Sequence, residues 1–331
     1  MKYLKIPFTS KRRKAPRRMD NSKGQEGKFR LKGLTAAVFT PFHDNGDLNL
    51  ELISPYIDCL VKEGVKNAFI CGTNGEGWSL TVQERKLVAE AWKKANNGRL
   101  CSLVVNVGAN GLREGQELAA HAQSIGMDAI ASTGPSGYKA KGLDGLVKYL
   151  QQVASHAPAT PFYYYHFSVT NEPTYGDMED LIEALKSIPI PTFCGMKFTS
   201  FRLFEFKRCL RRPEGYQISV GHDEHLLAAL AIGAESFVGG TANFQAKLQT
   251  KVIDAYKKKD MEAASSYYDQ FLDNCCVLRK YGGGPAVCKV IMKLAHIDLG
   301  PCRLPLPSFT PEEEEQIRAD LEKIGFFENI K

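Results

Sequence analysis

Thr192-Phe193-Cys194-Gly195-Met196-Lys197-Phe198 is an apolar run broken by one lysine, and the fold follows from what surrounds it. Apolar residues at successive positions read as a strand buried on both faces, the pattern of a parallel sheet covered by helices. Seven more short, β-prone runs stand at 34–39, 67–71, 101–107, 129–132, 161–165, 217–220 and 235–238. Between them the apolar period becomes helical. Ile53, Tyr56, Ile57, Leu60 and Val61 share one helix face, as do Leu87, Val88, Ala91, Trp92 and Ala95. Leu118, Ala119, Ala122 and Ile125 repeat the pattern, and so do Leu181, Ile182 and Leu185. Thr81, with Glu84 three positions on, forms a capping box for the second of these helices. Eight strand–helix units in roughly 210 residues match the count of an α/β (β/α)8 TIM barrel. A doubly wound open sheet is the runner-up, but Gly72-Thr73-Asn74-Gly75-Glu76-Gly77 lacks the spacing of a dinucleotide fingerprint.

After residue 243 the strands stop. Segments 244–258, 260–281, 284–295 and 311–324 read as helices. Thr310 is an N-cap for the last, Pro311 fits its first position, and the glutamates at 312–315 suit its positive end. The spacing predicts a basic tail at 1–30, a barrel at 31–243 and a helical extension at 244–331 packed on it.

Composition narrows the function. The net charge of +6 hides a local +10 in residues 1–32, which leaves 31 basic and 35 acidic residues in the rest. A mildly acidic body is a poor nucleic-acid surface. Lys11-Arg12-Arg13-Lys14 and Arg17-Arg18 read as a solvated extension, with a nuclear address or a nucleic-acid contact as the other reading. Met19 is a plausible alternative start. No apolar run approaches the roughly 20 residues that cross a bilayer, so no membrane role is expected. The chain has nine cysteines, no C-x-x-C pair and no secretory h-region, which points to free thiols in a reducing, cytoplasmic setting.

Barrel chemistry sits at the C-terminal ends of the strands. There the sequence offers Thr40, Thr73, Asn74, Asn106, Tyr165, Lys197, Thr199, Gly221, Asp223, Glu224, Gly239 and Gly240. Lys197 is the sharpest. Burial disfavours the charged form of an amine, and a neutral amine can form a Schiff base with a ketone. A strand-end lysine that snorkels to solvent is the plainer reading. Tyr165 ends Phe162-Tyr163-Tyr164-Tyr165, of which at least one tyrosine must be core. A strand-end tyrosine can shuttle a proton when a second hydroxyl supports it, and Thr73 is the candidate partner. His222-Asp223-Glu224-His225 invites a metal reading but offers no third ligand beyond its two histidines, so no metal is expected. Asp223 and Glu224 suit polyol hydroxyls better.

Together Thr40-Pro41-Phe42, Gly72-Thr73-Asn74-Gly75-Glu76, Tyr165, Gly195-Met196-Lys197 and Gly239-Gly240-Thr241 resemble the superfamily of Schiff-base aldolases that holds the sialic acid lyases and dihydrodipicolinate synthases. The likeness covers about residues 31–325. Phe162-Tyr163-Tyr164-Tyr165-His166 and Leu299-Gly300-Pro301-Cys302-Arg303-Leu304-Pro305-Leu306 are similar to the animal sialic acid lyases. The resemblance implies a barrel with a helical extension, usually a homotetramer. It implies that Lys197 attacks the C2 ketone of N-acetylneuraminate, and that Tyr165, supported by Thr73, takes the 4-hydroxyl proton. Cleavage of C3–C4 then gives N-acetylmannosamine and pyruvate. The lysine imine is the electron sink, so no cofactor is expected. Thr73 and Asn74 would hold the carboxylate, and Thr199, Gly221, Asp223, Glu224 and Gly240 would contact the sugar tail.

Three departures from the family pattern bear on affinity. Asn74 stands where threonine is usual, Gly240 where the lyases have serine, and Ser168 where a proline is usual. On that pattern Gly240→Ser is expected to strengthen sugar binding. Thr170 stands where the synthase branch places an arginine for a second carboxylate, which argues for a neutral polyol tail. Another Schiff-base 2-keto acid aldolase or hydro-lyase, and a barrel that binds a small molecule without turnover, are the remaining readings.

Overall fold

The computed structural model describes residues 28–167 and 176–330. The basic clusters at 11–18, Met19, Ser168 and Thr170 lie outside the described residues. Eight parallel strands close into one barrel in sequence order: β1 (Leu34–Ala37), β2 (Asn67–Ile70), β3 (Ser102–Asn106), β4 (Ala129–Ser132), β5 (Phe162–Phe167), β6 (Phe193–Thr199), β7 (Gln217–Val220) and β8 (Phe237–Gly239). Each strand falls in or over one of the eight apolar runs. β5 outruns its segment because His166 and Phe167 continue the ladder to Phe198 and Thr199 of β6. β8 starts later than its segment and closes the barrel through Gly239 against Ala36.

Helices follow the strands: α1 (Ile53–Glu63), α2 (Val82–Asn96), α3 (Leu112–Ser124), α4 (Gly142–Ala154), α5 (Met178–Ala184), α6 (Leu203–Leu210), α7 (Leu226–Ala231) and α8 (Ala242–Lys257). α8 packs on α1 and β1, so it closes the outer ring as the helix of the eighth unit, and position 243 falls inside it. The extension proper is α9 (Met261–Lys280), α10 (Gly284–Ala295), α11 (Pro311–Lys323) and α12 (Phe326–Asn329). Thr81–Glu84 and Thr310–Glu313 both form capping boxes.

Two helix faces differ from the periodic reading. Val61 and Leu87 are exposed, whereas Glu63 and Arg85 are buried. Both polar residues are buried because they have partners. Glu63 faces Lys247 and His296 at 3.8 and 3.4 Å. Arg85 donates to the carbonyls of Asn106 and Gly108 at 2.5 and 2.9 Å, which ties α2 to the end of β3.

The barrel interior is small and distinct from the strand–helix layer. Leu31, Phe69, Val104, Ala129, Ala131, Tyr163, Tyr165, Cys194 and Val238 fill it. The period of two in a strand sorts the aromatic run of β5. Phe162 and Tyr164 face the helices, and Tyr163 and Tyr165 face inward. Tyr163 lies low in the barrel, where its hydroxyl meets Gln217 at 2.8 Å and its ring meets Phe29 edge-on. Gln217 also bonds both backbone groups of Leu31, so residues 29–31 plug the N-terminal end. Tyr165 lies at the opposite end.

Gly195 lets β6 and β7 pair. A Cβ there would lie 1.9 Å from Gln217 O, its ladder partner. Gly195→Ala must part the two backbones. The expected cost is about 3 kcal/mol, the upper range for overpacking. A denaturant midpoint equal to that of the native protein would show that the ladder absorbs the methyl without moving.

Candidate active site

Lys197 and Tyr165 are ladder partners across β5 and β6. Residues paired on adjacent parallel strands point the same way, so both side chains enter the barrel. Lys197 does not snorkel: it is 5% exposed, with Nζ 4.3 Å from the Tyr165 ring centre and 4.4 Å from that of Phe69. The two ring faces offer a cation–π environment in place of water. Across the mouth, Thr73 Oγ1 lies 3.0 Å from Tyr165 Oη, the hydroxyl pair that the sequence suggested.

Thr73 belongs to a tight turn after β2. Glu76 N–H donates to Thr73 O and Gly77 N–H to Gly72 O. Gly77 is required by space, since a Cβ there would lie 2.1 Å from Cys71 O, and a Cβ at Gly75 would crowd Cys71 N and Val38 O at 3.0 Å. Cys71 and Glu76 hold positive φ values of 55° and 51°, conformations that cost about 1–3 kcal/mol each and gather at functional sites. Among the described residues the backbone N–H groups of Thr73 and Asn74 have no acceptor. Unpaired donors on successive residues of one turn are groups of the kind that bind anions.

That turn is gripped from the extension. Glu76 and Lys289 of α10 form an ion pair at 2.8 Å with side chains 0% and 3% exposed. Lys289 also donates to Pro301 O at 2.9 Å, and Arg303 N–H donates to Glu76 Oε2 at 2.9 Å. The Arg303 guanidinium pairs with both oxygens of Glu84, at 3.0 and 2.5 Å, and bonds Ser79 O at 3.0 Å. Phe42 lies between the two cations, its ring centre 4.4 Å from Lys289 Nζ and 4.6 Å from the guanidinium carbon. This network was not read from the sequence as functional. A signal existed, because Lys289 is a lysine in an apolar run just as Lys197 is.

On the far side, Thr199 is buried, and among the described residues its Oγ1 has no hydrogen-bond partner. It occupies the space of a side chain at Gly221, whose Cβ would lie 1.9 Å away. Asp223 fills the corresponding space at Gly239 and accepts from Thr241 N–H at 2.9 Å. Burial pushes the Asp223 carboxyl above its usual range, against the pull of the Thr241 bonds. Glu224 pairs with Arg279 of α9 at 2.8 Å, and Tyr268 donates to its carbonyl. Burial raises its pKa, but its own backbone N–H, His222 and Arg279 outweigh burial and hold the carboxyl below its usual range.

His222 and His225 sit in an aromatic cluster with Phe201. The His222 ring stacks on Phe201 at 4.2 Å, and the two imidazoles lie 5.5 Å apart. Burial lowers the pKa of both. No group of three His, Cys, Asp or Glu side chains among the described residues is placed to hold a metal ion.

A family model described as the dihydrodipicolinate synthetase family matches residues 30–324. The chain belongs to that family. It is 41% identical over 304 residues to the N-acetylneuraminate lyase of Mus musculus, covering 90% of this chain and 94% of that one. Against the N-acetylneuraminate lyase of Homo sapiens it is 40% identical over 309 residues, again 90% and 94% of the two chains. Among solved structures, the N-acetylneuraminate lyase of Proteus mirabilis matches with a TM-score of 0.85 at 38% identity, over 89% of this chain and 99% of that one. The enzyme from Aliivibrio salmonicida gives 0.85 at 35%, over 89% and 97%.

Two outcomes follow for this family member. Lys289→Met leaves Glu76 buried without its cation, and breaking a buried pair in this way costs about 3–5 kcal/mol. Chemical denaturation reads this loss, and Lys289→Met with Glu76→Gln should recover part of it. No recovery would mean that the charge is not what Lys289 supplies.

The second outcome concerns acid. The Arg303 guanidinium, with help from Thr81, holds Glu84 down to about 2 against the 4.5 of a free glutamate. Its contribution is therefore present above pH 4.5 and is lost as pH falls toward 2. The melting temperature of the native protein should fall more steeply across that window than that of Glu84→Gln. Parallel curves would show that the pair contributes nothing there.

Proposed function

We propose that the chain is an N-acetylneuraminate lyase, a class I aldolase that releases N-acetylmannosamine and pyruvate through a lysine Schiff base. One observation carries the mechanism: the β5–β6 register sets Tyr165 beside Lys197, and Thr73 Oγ1 stands 3.0 Å from the tyrosine hydroxyl. The Lys197 amine adds its lone pair to C2 of the open-chain sugar acid, and water leaves to give an iminium. Tyr165 gives its phenolic proton to that departing water, and the phenolate so formed takes the proton of the 4-hydroxyl while Thr73 supports it. The C3–C4 electron pair moves into the iminium, so the aldehyde departs and an enamine remains. Protonation at C3 and hydrolysis return the amine and free pyruvate. The iminium is the electron sink, and the mechanism uses no metal or organic cofactor.

The free N–H groups of the Thr73–Asn74 turn support a role in holding the carboxylate. The Thr199 hydroxyl, unpartnered among the described residues, and the carboxylates of Asp223 and Glu224 support a polyol subsite, with Gly221 beside it. The setting proposed is the cytoplasm, in keeping with nine unpaired cysteines. No described helix is long and apolar enough to cross a membrane. The family resemblance supports a homotetramer with no partner other than its small-molecule substrate.

Pyruvate with borohydride should reduce the imine to a stable secondary amine on Lys197, found by peptide mapping. A label on Lys289 or Lys293 overturns the assignment. Tyr165→Phe should still be trapped but should cleave N-acetylneuraminate about 100- to 10,000-fold more slowly, the contribution of a placed acid–base group. Cleavage at the native rate would remove Tyr165 from the proton path.

A further inference from the structure

Gly240 continues the inner face of β8, two residues beyond Val238, which belongs to the interior cluster. A side chain at 240 would therefore project into the barrel mouth. That space is filled from the turn after β2, on the other side of β1. A Cβ at Gly240 would lie 2.3 Å from Asn74 Nδ2 and 3.4 Å from its Cγ. The backbone of Gly240 is not in the left-handed region, so the glycine is not required by its own conformation. What it provides is room for the Asn74 amide.

That amide has little else to do. Among the described residues its one hydrogen bond is from Nδ2 to Ala37 O at 3.4 Å, a long contact. Ala37 O already accepts from Asn243 Nδ2 at 3.0 Å. The second N–H of Asn74 is left over, beside the two unpaired backbone donors of the same turn. That makes three unpaired donors in this one turn among the described residues. We infer that Asn74 and Gly240 are one specificity-determining unit, in which the bare backbone of Gly240 seats the Asn74 amide as a third donor to the carboxylate of the 2-keto acid. This rests on the proposed imine chemistry at Lys197, and it assigns position 240 to the acid end of the substrate. It also reverses the expectation for Gly240→Ser, because a side chain at 240 displaces Asn74 before it can offer a hydroxyl.

Pyruvate decides the matter, because it carries the carboxylate and no sugar tail. Imine trapping with borohydride is measured against pyruvate concentration in the native protein, Gly240→Ala, Asn74→Ala and the double variant. Each single variant should need about three- to tenfold more pyruvate for half-maximal trapping, the range of one lost hydrogen bond. The maximal trapped fraction should stay unchanged. The double variant should need no more pyruvate than Asn74→Ala alone, since with Asn74 truncated a methyl at 240 displaces nothing. Thermal melts of all four proteins accompany the titration. Should Gly240→Ala melt early, the Asn74→Ala protein carries the test by itself, and an unshifted pyruvate curve there overturns the proposal. Additive shifts in the double variant overturn it too, as does an unshifted curve for a well-folded Gly240→Ala. Absence of any adduct in the native protein refutes the imine reading instead.

Discussion

Lys197 remains inside the barrel because β6 is hydrogen-bonded on both sides. Its ladder to β5 sets the amine beside Tyr165, and its ladder to β7 closes so tightly at Gly195 that no side chain fits against Gln217 O. An amine carried on a loop could turn to water. One fixed between two strands cannot, and the ring faces of Phe69 and Tyr165 are its surroundings. The chemistry proposed for this lysine needs that restriction, because a catalytic group acts only where its geometry is held.

The helical extension holds the opposite wall of the site. Glu76 is buried and strained in the turn that carries Thr73 and Asn74, and its partners Lys289 and Arg303 come from residues more than 200 positions later. A buried charge without its partner is costly, so the extension and the turn must form together. Phe42, from the segment after β1, packs between the two cations. The resemblance marks at 40–42, 72–76 and 299–306 are thus one assembly.

Glycine acts here by leaving space that a polar group uses. Thr199 stands over Gly221, Asp223 over Gly239 and Asn74 over Gly240. In each case a side chain from one strand end crosses to the bare backbone of another. Substitution at such a glycine acts first on the neighbour it seats, which is why Gly240 and Asn74 are read as a unit.

The amino-acid sequence by itself determined the eight-fold alternation, the capping boxes at Thr81 and Thr310, and the candidates Lys197, Tyr165 and Thr73. These are local patterns: a period of two or 3.6, a hydroxyl three residues before a glutamate, a charge in an apolar run. The tertiary structure decided which tyrosine of the run faces Lys197, because register with β6 depends on a strand thirty residues away. It decided that Lys289, which carries the same sequence signal as Lys197, faces a buried carboxylate and not the barrel interior. It also decided that the space at Gly240 belongs to Asn74. The reason is the same each time. Periodicity records which face of its own element a residue occupies, whereas partners across a closed barrel are set by strand order and register.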